Sequence, residues 1–297
     1  PATFLLHVAH GDTFLRMSFN LGISPDILSA DYSEFVAFLH EHLSYEIQWP
    51  ATEERRSLRG SLGKGELYNS ILVVDATNLP VCAPRDPALQ GDFYNPHKKF
   101  HSIKAQLVVD WLGMVRHLEY HGRIGEYGLP LQRGGAMNDA QLFRNSQLHS
   151  LRWTGLLAQD EQLLADAGYG EGGEGRGELA LIVRPVTVRW IRRVRDKDYD
   201  RHLAERERNC RIAKPRVVVE GVIGELKCRW KLFASRPPPR TDRGEHGRAF
   251  EVVCLLNNRI HRITQRYLRG YDWANGALSA WELQAAAFAA SSGKEAE

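Results

Sequence analysis

Apolar residues recur at helical spacing over the first forty positions. TFLRMSFNL is amphipathic and is followed by a GIS turn. Pro25 then suits the first turn of a helix that runs to about Leu43, apolar at Ile27, Leu28, Phe35, Val36, Leu39 and Leu43. Two helices across a tight turn make residues 13–43 a helix-turn-helix candidate. An ordinary helical hairpin capping a larger domain fits the same pattern, since few basic residues lie on the second helix. Residues 47–70 are polar and connective, with a Trp-Pro step leading into a short charged helix in IQWPATEERRSLRG.

The pattern then changes to short runs rich in β-branched residues. ILVVD (71–75) predicts a buried strand that ends at Asp75. SIKAQLVVD (102–110) and MVRHLEYHG (114–122), separated by WLG, predict a hairpin. AMNDAQLFRNSQLHSL (136–151) predicts a helix, and QLLADAG (162–168) a short strand ending at Asp166. GEGGEGRGE (170–178) predicts a flexible loop, and ELALIVRPVTVRW (178–190) another strand. Residues 192–211 predict a charged helix. Residues 215–233 predict a mostly helical segment despite the Val217–Val219 run. A Pro/Gly-rich basic loop (235–248) leads to a final core helix over 250–268, and the tail is expected to fray.

Strand with Asp, two strands, helix, strand with Asp, strand, helix with Glu is the order of an RNase H-like α/β domain. Its mixed sheet, flanked by helices, brings its acidic residues to one edge. The expected organisation is a small helical, helix-turn-helix-like N-terminal module (1–60), an RNase H-like domain (61–270) and a C-terminal tail (271–297).

Composition adds limits. The chain has 297 residues, 43% of them apolar and 25% charged, as in an ordinary globule with a large core. No run of 18 apolar residues exists, so no membrane span and no membrane partner are expected. The four cysteines are scattered without a CxxC pair, which argues against a cysteine zinc site and for a reducing compartment. No signal peptide is visible, and a first residue of Pro rather than Met is what a fragment or processed product would show. Net charge is only +3, yet residues 184–248 hold 19 Lys and Arg against 9 Asp and Glu. That asymmetry suggests a polyanion surface beside the segment RVVVEGVIGELKCRW.

The segment 216–230 sets Arg216, Glu220 and Lys227 near one face of a helix, at spacings of four and seven. Two strand-borne aspartates and a helical glutamate are what two-metal phosphodiester chemistry needs. Mg²⁺ or Mn²⁺ pairs want oxygen ligands, and three carboxylates supply them. Asp75, Asp166 and Glu220 are therefore the candidate catalytic and metal-binding residues, with Asp75 as the natural bridge between two ions. Asp139 is the alternative second aspartate, although Asn138 or Asp139 also suits a helix cap. Arg216, Lys227 and Arg229 are the candidate DNA-phosphate contacts.

Several blocks together resemble the PIF/Harbinger superfamily of DDE transposases, including the domesticated Harbinger-derived nucleases. They are SYEIQWPATEE, VVDATNLPV, NPHKKFHSIKAQLVVDWLG, GAMNDAQLFRNSQL, LLADAGYG, RVVVEGVIGELKCRWKLF and VVCLLNNRIH, in that order from roughly Phe14 to Ile263. The resemblance implies an RNase H-like domain with a Mg²⁺-dependent Asp75–Asp166–Glu220 triad that cleaves DNA. Arg216, Glu220 and Lys227 also match an Arg-x3-Glu-x6-Lys core in related bacterial insertion-sequence transposases, whose preceding tyrosine is Ala213 here. The first block reads Asp75-Ala76-Thr77-Asn78 where the family often has Asp-Gly-Thr-His, and Leu256-Asn257-Asn258 replaces Leu-His-Asn. A longer GRIGEYGLPLQRGGAMND stands where many members have a short Pro-Gly-Ser segment. These departures leave open a catalytically silent, domesticated copy that holds DNA or a partner protein. The resemblance further implies a nuclear setting, a separate Myb-like DNA-binding partner and, because transposition pairs two ends, a homodimer.

Overall fold

Strand β1 (Ser70–Pro80) organises the molecule, because it is antiparallel on one edge and parallel on the other. In the computed structural model, which describes residues 1–121, 135–150, 154–170, 181–195, 198–234 and 243–264, it pairs antiparallel with β3 (Phe100–Val109) from Val73 to Pro80. β3 in turn pairs antiparallel with β4 (Val115–His121) and, at its start, with the two-residue β2 (Tyr94–Asn95). On its other edge β1 runs parallel to β5 (Gln162–Leu164), which runs parallel to β6 (Ile182–Val183). The result is a mixed α/β sheet in the order β2-β3-β1-β5-β6 with β4 beside β3.

The helices cover both faces. α1 (Ala2–His10), α2 (Phe14–Leu21) and α3 (Pro25–Leu43) begin the chain, and α4 (Thr52–Leu58) leads into β1. α2 and α3 start where the sequence places them: Thr13 and Ser24 accept from the backbone N–H groups of Arg16 and Ile27, and Pro25 occupies the first turn. α5 (Pro87–Phe93) precedes β2, and α6 (Asp139–Arg144) follows β4. α7 (Val188–Arg195), the 31-residue α8 (Tyr199–Arg229) and α9 (Arg243–Thr264) complete the described chain.

Alternation along the strands decides what each face meets. Val73 and Leu79 of β1, with Ile103, Ala105, Leu107 and Val109 of β3, join one buried cluster with α8, α9, Phe4 and Val8 of α1, and Tyr32 and Val36 of α3. The N-terminal helices thus share a core with the sheet. Leu72, Val74 and Val108 turn to the opposite face and pack with Phe143 of α6, Leu148 and Tyr169. On this second face β3 also buries Ser102, Lys104 and Gln106.

Four expectations change. β1 continues through Pro80, so Asp75 lies inside a strand rather than at its end; β3 supplies backbone partners for all of 73–80. The predicted strand 178–190 reduces, within its described part, to Ile182–Val183, and helix begins at Val188. Pro185 cannot donate to a ladder, and Asn209 of α8 takes both the N–H and the carbonyl of Val186, so no strand partner is needed there. The predicted helix 136–151 is helical only over Asp139–Arg144, then turns and closes as a 3₁₀ segment over Gln147–Ser150. The charged helix expected over 192–211 is two helices, the second started by Asp198, whose carboxylate accepts from the Arg201 N–H at 2.9 Å. The glycine-rich loop 170–178 lies outside the described residues except for Gly170, and the tail 271–297 lies wholly outside them. No helix among the described residues is long and apolar enough to cross a membrane.

Candidate active site

The parallel pair β1–β5 builds the site. Val73 stands opposite Leu164, so the residues two further on, Asp75 and Asp166, come level just as β5 ends. Beyond that point no strand among the described residues pairs with the β5-side edge of β1, and the acidic groups gather there. Asp75 shares its side with Val73, the side covered by α8. Its carboxylate accepts from the Ala76 N–H at 2.8 Å. Burial pushes the Asp75 carboxyl up to about 6; the Ala76 N–H and Arg216 oppose this, while Asp139 and Asp166 add to it.

Arg216 projects from α8 into this group. Its side chain is 11% exposed; it pairs with Asp166 at 3.1 Å and donates to Glu220 at 3.2 Å, and those carboxylate side chains are 46% and 53% exposed. One guanidinium therefore gathers Asp166 and Glu220 beside Asp75. The four-residue spacing of Arg216 and Glu220 is one helical turn, as the sequence predicts.

Asp139 comes from the other side of the sheet. It is the first residue of α6, and Asn138, not Asp139, caps that helix by accepting from the Gln141 N–H at 2.8 Å. Its carboxylate lies 2.6 Å from the ammonium of Lys104 on β3. Lys104 also donates to the Met137 carbonyl at 2.8 Å. The fully buried Tyr169 stands under the acidic group; its hydroxyl accepts from Gln106 at 3.2 Å. Burial and the charges of Asp75, Asp139 and Asp166 hold that phenol well above its ordinary range, so it stays protonated.

Lys227 donates at 2.9 Å to the carbonyl of Asn78, three residues along β1 from Asp75. Burial and the nearby Lys98 lower it to about 8, with Asp75 pulling the other way. Arg229 is engaged elsewhere: it donates to Asn257 of α9 at 3.0 Å and pairs with Glu225 at 2.5 Å.

The structure thus brings Asp75, Asp139, Asp166, Arg216 and Glu220 together and anchors Lys227 of α8 to the backbone of β1 at Asn78. Lys104, Gln106 and Tyr169 were not singled out from the sequence. Their signal was present as the alternation Ser102-Ile103-Lys104-Ala105-Gln106-Leu107. Read alone, its polar positions look like a solvated face; only the cover of Tyr169 and α6 shows that they are buried.

All-oxygen carboxylate donors suit a hard divalent ion. Burial is the main reason that the Asp75 carboxyl is raised, with Asp139 and Asp166 adding to it and Arg216 opposing it. Among the described residues, no group of three or more acidic, histidine or cysteine side chains is placed as it stands to hold a metal ion. In this arrangement Arg216 supplies the positive charge between the carboxylates.

The chain belongs to the DDE superfamily endonucleases, whose family description matches residues 74–258. That span starts one residue before Asp75 and includes Asp139, Asp166, Arg216, Glu220 and Lys227. Membership makes this a transposase-type nuclease domain with DNA as its substrate, in a family that generally uses divalent metals. No curated protein and no solved structure matches the chain.

Proposed function

We propose that the protein is a metal-dependent DNA endonuclease and strand transferase of the PIF/Harbinger type. The observation that carries this reading is the level placement of Asp75 and Asp166 at the end of β5, with Glu220 gathered to them by Arg216. Asp75, Asp166 and Glu220 would hold two Mg²⁺ or Mn²⁺ ions, which supply nucleophile activation and charge stabilisation at the leaving oxygen. The chain's own part is to present these carboxylates ionised, to keep Asp75 on a rigid strand, and to hold phosphate with Arg216 and Lys227. An antiparallel β4-β3-β1 set followed by strands parallel to β1 supports the RNase H-like assignment. A nuclear setting, a Myb-like DNA-binding partner and a homodimer belong to the same proposal.

The silent-relic reading has one observation in its favour: Arg216 already neutralises Asp166 and Glu220. A plasmid-nicking assay with Mg²⁺, Mn²⁺ or EDTA separates the two. Nicking that needs metal and is abolished by Asp75→Asn, Asp166→Asn and Glu220→Gln supports the enzyme. No nicking together with no metal uptake makes the relic the better reading.

A further inference from the structure

Three aspartates meet at this site, and their environments differ. Asp166 and Glu220 are about half exposed, so water can replace Arg216 on them when another cation arrives. Asp139 is 30% exposed, and its partner Lys104 is 9% exposed and fixed a second time by the Met137 carbonyl. Removing Asp139 from Lys104 would leave a buried ammonium without its counter-charge, which is strongly unfavourable. Asp139 also belongs to the α6 side of the sheet, opposite α8, which brings Glu220.

The chain after Asp166 is shaped around this pair. A Cβ placed on Gly168 would lie 2.9 Å from Oδ2 of Asp139, closer than real side chains approach. Because Lys104 holds that carboxylate, it cannot swing away cheaply. Asp139 therefore sits against the turn Asp166–Tyr169, and Tyr169 at the end of that turn is locked by Gln106 from the same face of β3.

We propose that Lys104 is a built-in counter-cation of the acidic site: it takes Asp139 out of the metal ligand set and makes it a positioning residue for the turn that carries Asp166. This rests on the metal-dependent reading above and deepens it. The ligand set is then Asp75, Asp166 and Glu220, and Lys104–Asp139 is the support on which Asp166 is mounted.

The test is a calorimetric titration of the full chain with Mn²⁺, with thermal melting of each variant to confirm folding. Asp139→Asn alone unmasks the Lys104 charge and should weaken Mn²⁺ by about threefold, and the double variant Lys104→Met/Asp139→Asn should return the constant to within about twofold of wild type, whereas Asp166→Asn should weaken it by about tenfold or more. Lys104→Met should free Asp139 and tighten Mn²⁺ binding by about threefold or more, since a fixed positive charge leaves the site. Lys104→Arg, which keeps the charge, should restore the wild-type constant. If Asp139→Asn weakens Mn²⁺ as much as Asp166→Asn, Asp139 is a ligand and the proposal is overturned while the metal site stands. If Lys104→Met leaves Mn²⁺ binding unchanged, Lys104 is not the counter-cation. A wild-type chain that takes up no Mn²⁺ overturns the metal reading, and the positioning role with it.

Discussion

Arg216 reaches from α8 to pair with Asp166 at 3.1 Å, joining the helix to the residues that follow β5. The contact is short but half open to water on the carboxylate side, so it orients more than it stabilises. Arg216→Gln should change folding stability by no more than about 1 kcal/mol for these screened pairs. DNA cleavage should fall by about tenfold or more, because Asp166 and Glu220 lose their common anchor and phosphate loses a contact. Urea denaturation and the nicking assay read the two effects separately.

Asp75 carries a cost for its role. Its folded pKa of about 6 lies above its ordinary value of 3.8. The unfolded chain therefore gives up this proton at lower pH, and stability declines as pH rises from about 4 to about 6. Above that window the penalty is complete, on the order of 2–3 kcal/mol. Asp75→Asn should raise the melting temperature of the metal-free protein at pH 7 while abolishing metal-dependent nicking. Cleavage by the wild type should decline below about pH 6, as Asp75 takes up its proton.

Acid should also loosen the contact between the N-terminal helices and α9. His246 of α9 is lowered to about 4 by burial and then by His7, and burial likewise lowers His7 of α1. In the unfolded chain both take a proton near 6.5. Stability is therefore full above that value and is lost as pH falls toward about 4, by an amount on the order of 3 kcal/mol for His246. Because the Asp75 change runs the opposite way over the same window, the decline is read in the Asp75→Asn background: melting followed by circular dichroism between pH 4 and 7 should show it there, and adding His246→Phe should flatten it. A melting temperature of Asp75→Asn independent of pH over that range would rule the explanation out.

Arg55 of α4 and Glu161, immediately before β5, form a buried pair at 2.9 Å. Arg55 also donates to the Pro50 carbonyl, and Glu161 accepts from the Ala158 N–H. Arg55→Met leaves the buried Glu161 carboxylate to Arg59 and the Ala158 N–H, and should cost less than the roughly 3–5 kcal/mol of a fully stranded buried charge, about 2 kcal/mol. Because Glu161 anchors the start of the strand that leads to Asp166, cleavage should fall as well. Denaturant midpoints and nicking rates measured on one preparation check both.

Lys227 remains mostly charged at neutral pH, with its lowered value of about 8. Lys227→Gln should weaken binding to any duplex about equally and reduce the slope of log affinity against log salt by about 1. Arg229→Gln should leave that slope unchanged, since Asn257 and Glu225 already hold the guanidinium. Fluorescence anisotropy over a salt series, with Ca²⁺ in place of Mg²⁺, gives both slopes.

Periodicity reveals elements that carry their own amphipathic signal. α2, α3, the β3–β4 hairpin and the Glu220 helix all stand where the apolar spacing puts them. It fails where a neighbour decides. Ile182–Val183 stays short because Asn209 bonds the next backbone, and β1 runs past Asp75 because β3 pairs with it. The site follows the same division. Asp75 and Asp166 were singled out as strand ends, but Asp75 lies inside β1 and Asp166 two residues past β5; the Arg216–Glu220 pairing follows from helical spacing alone, which is a local feature. Lys104, Gln106 and Tyr169 were not legible, because a polar face looks solvated until the tertiary fold covers it.

The double character of β1 also sets the order in which the molecule is built. Its antiparallel partners lie close by in sequence, so β1, β3 and β4 can pair while the chain is still short. Its parallel partner arrives later: Asp166 comes 91 positions after Asp75, and Glu220 follows 54 positions after that. During synthesis the nascent chain therefore carries a formed meander with a solitary aspartate long before it carries a nuclease. Until Glu220 has been added, the growing chain lacks the third carboxylate of the acidic centre.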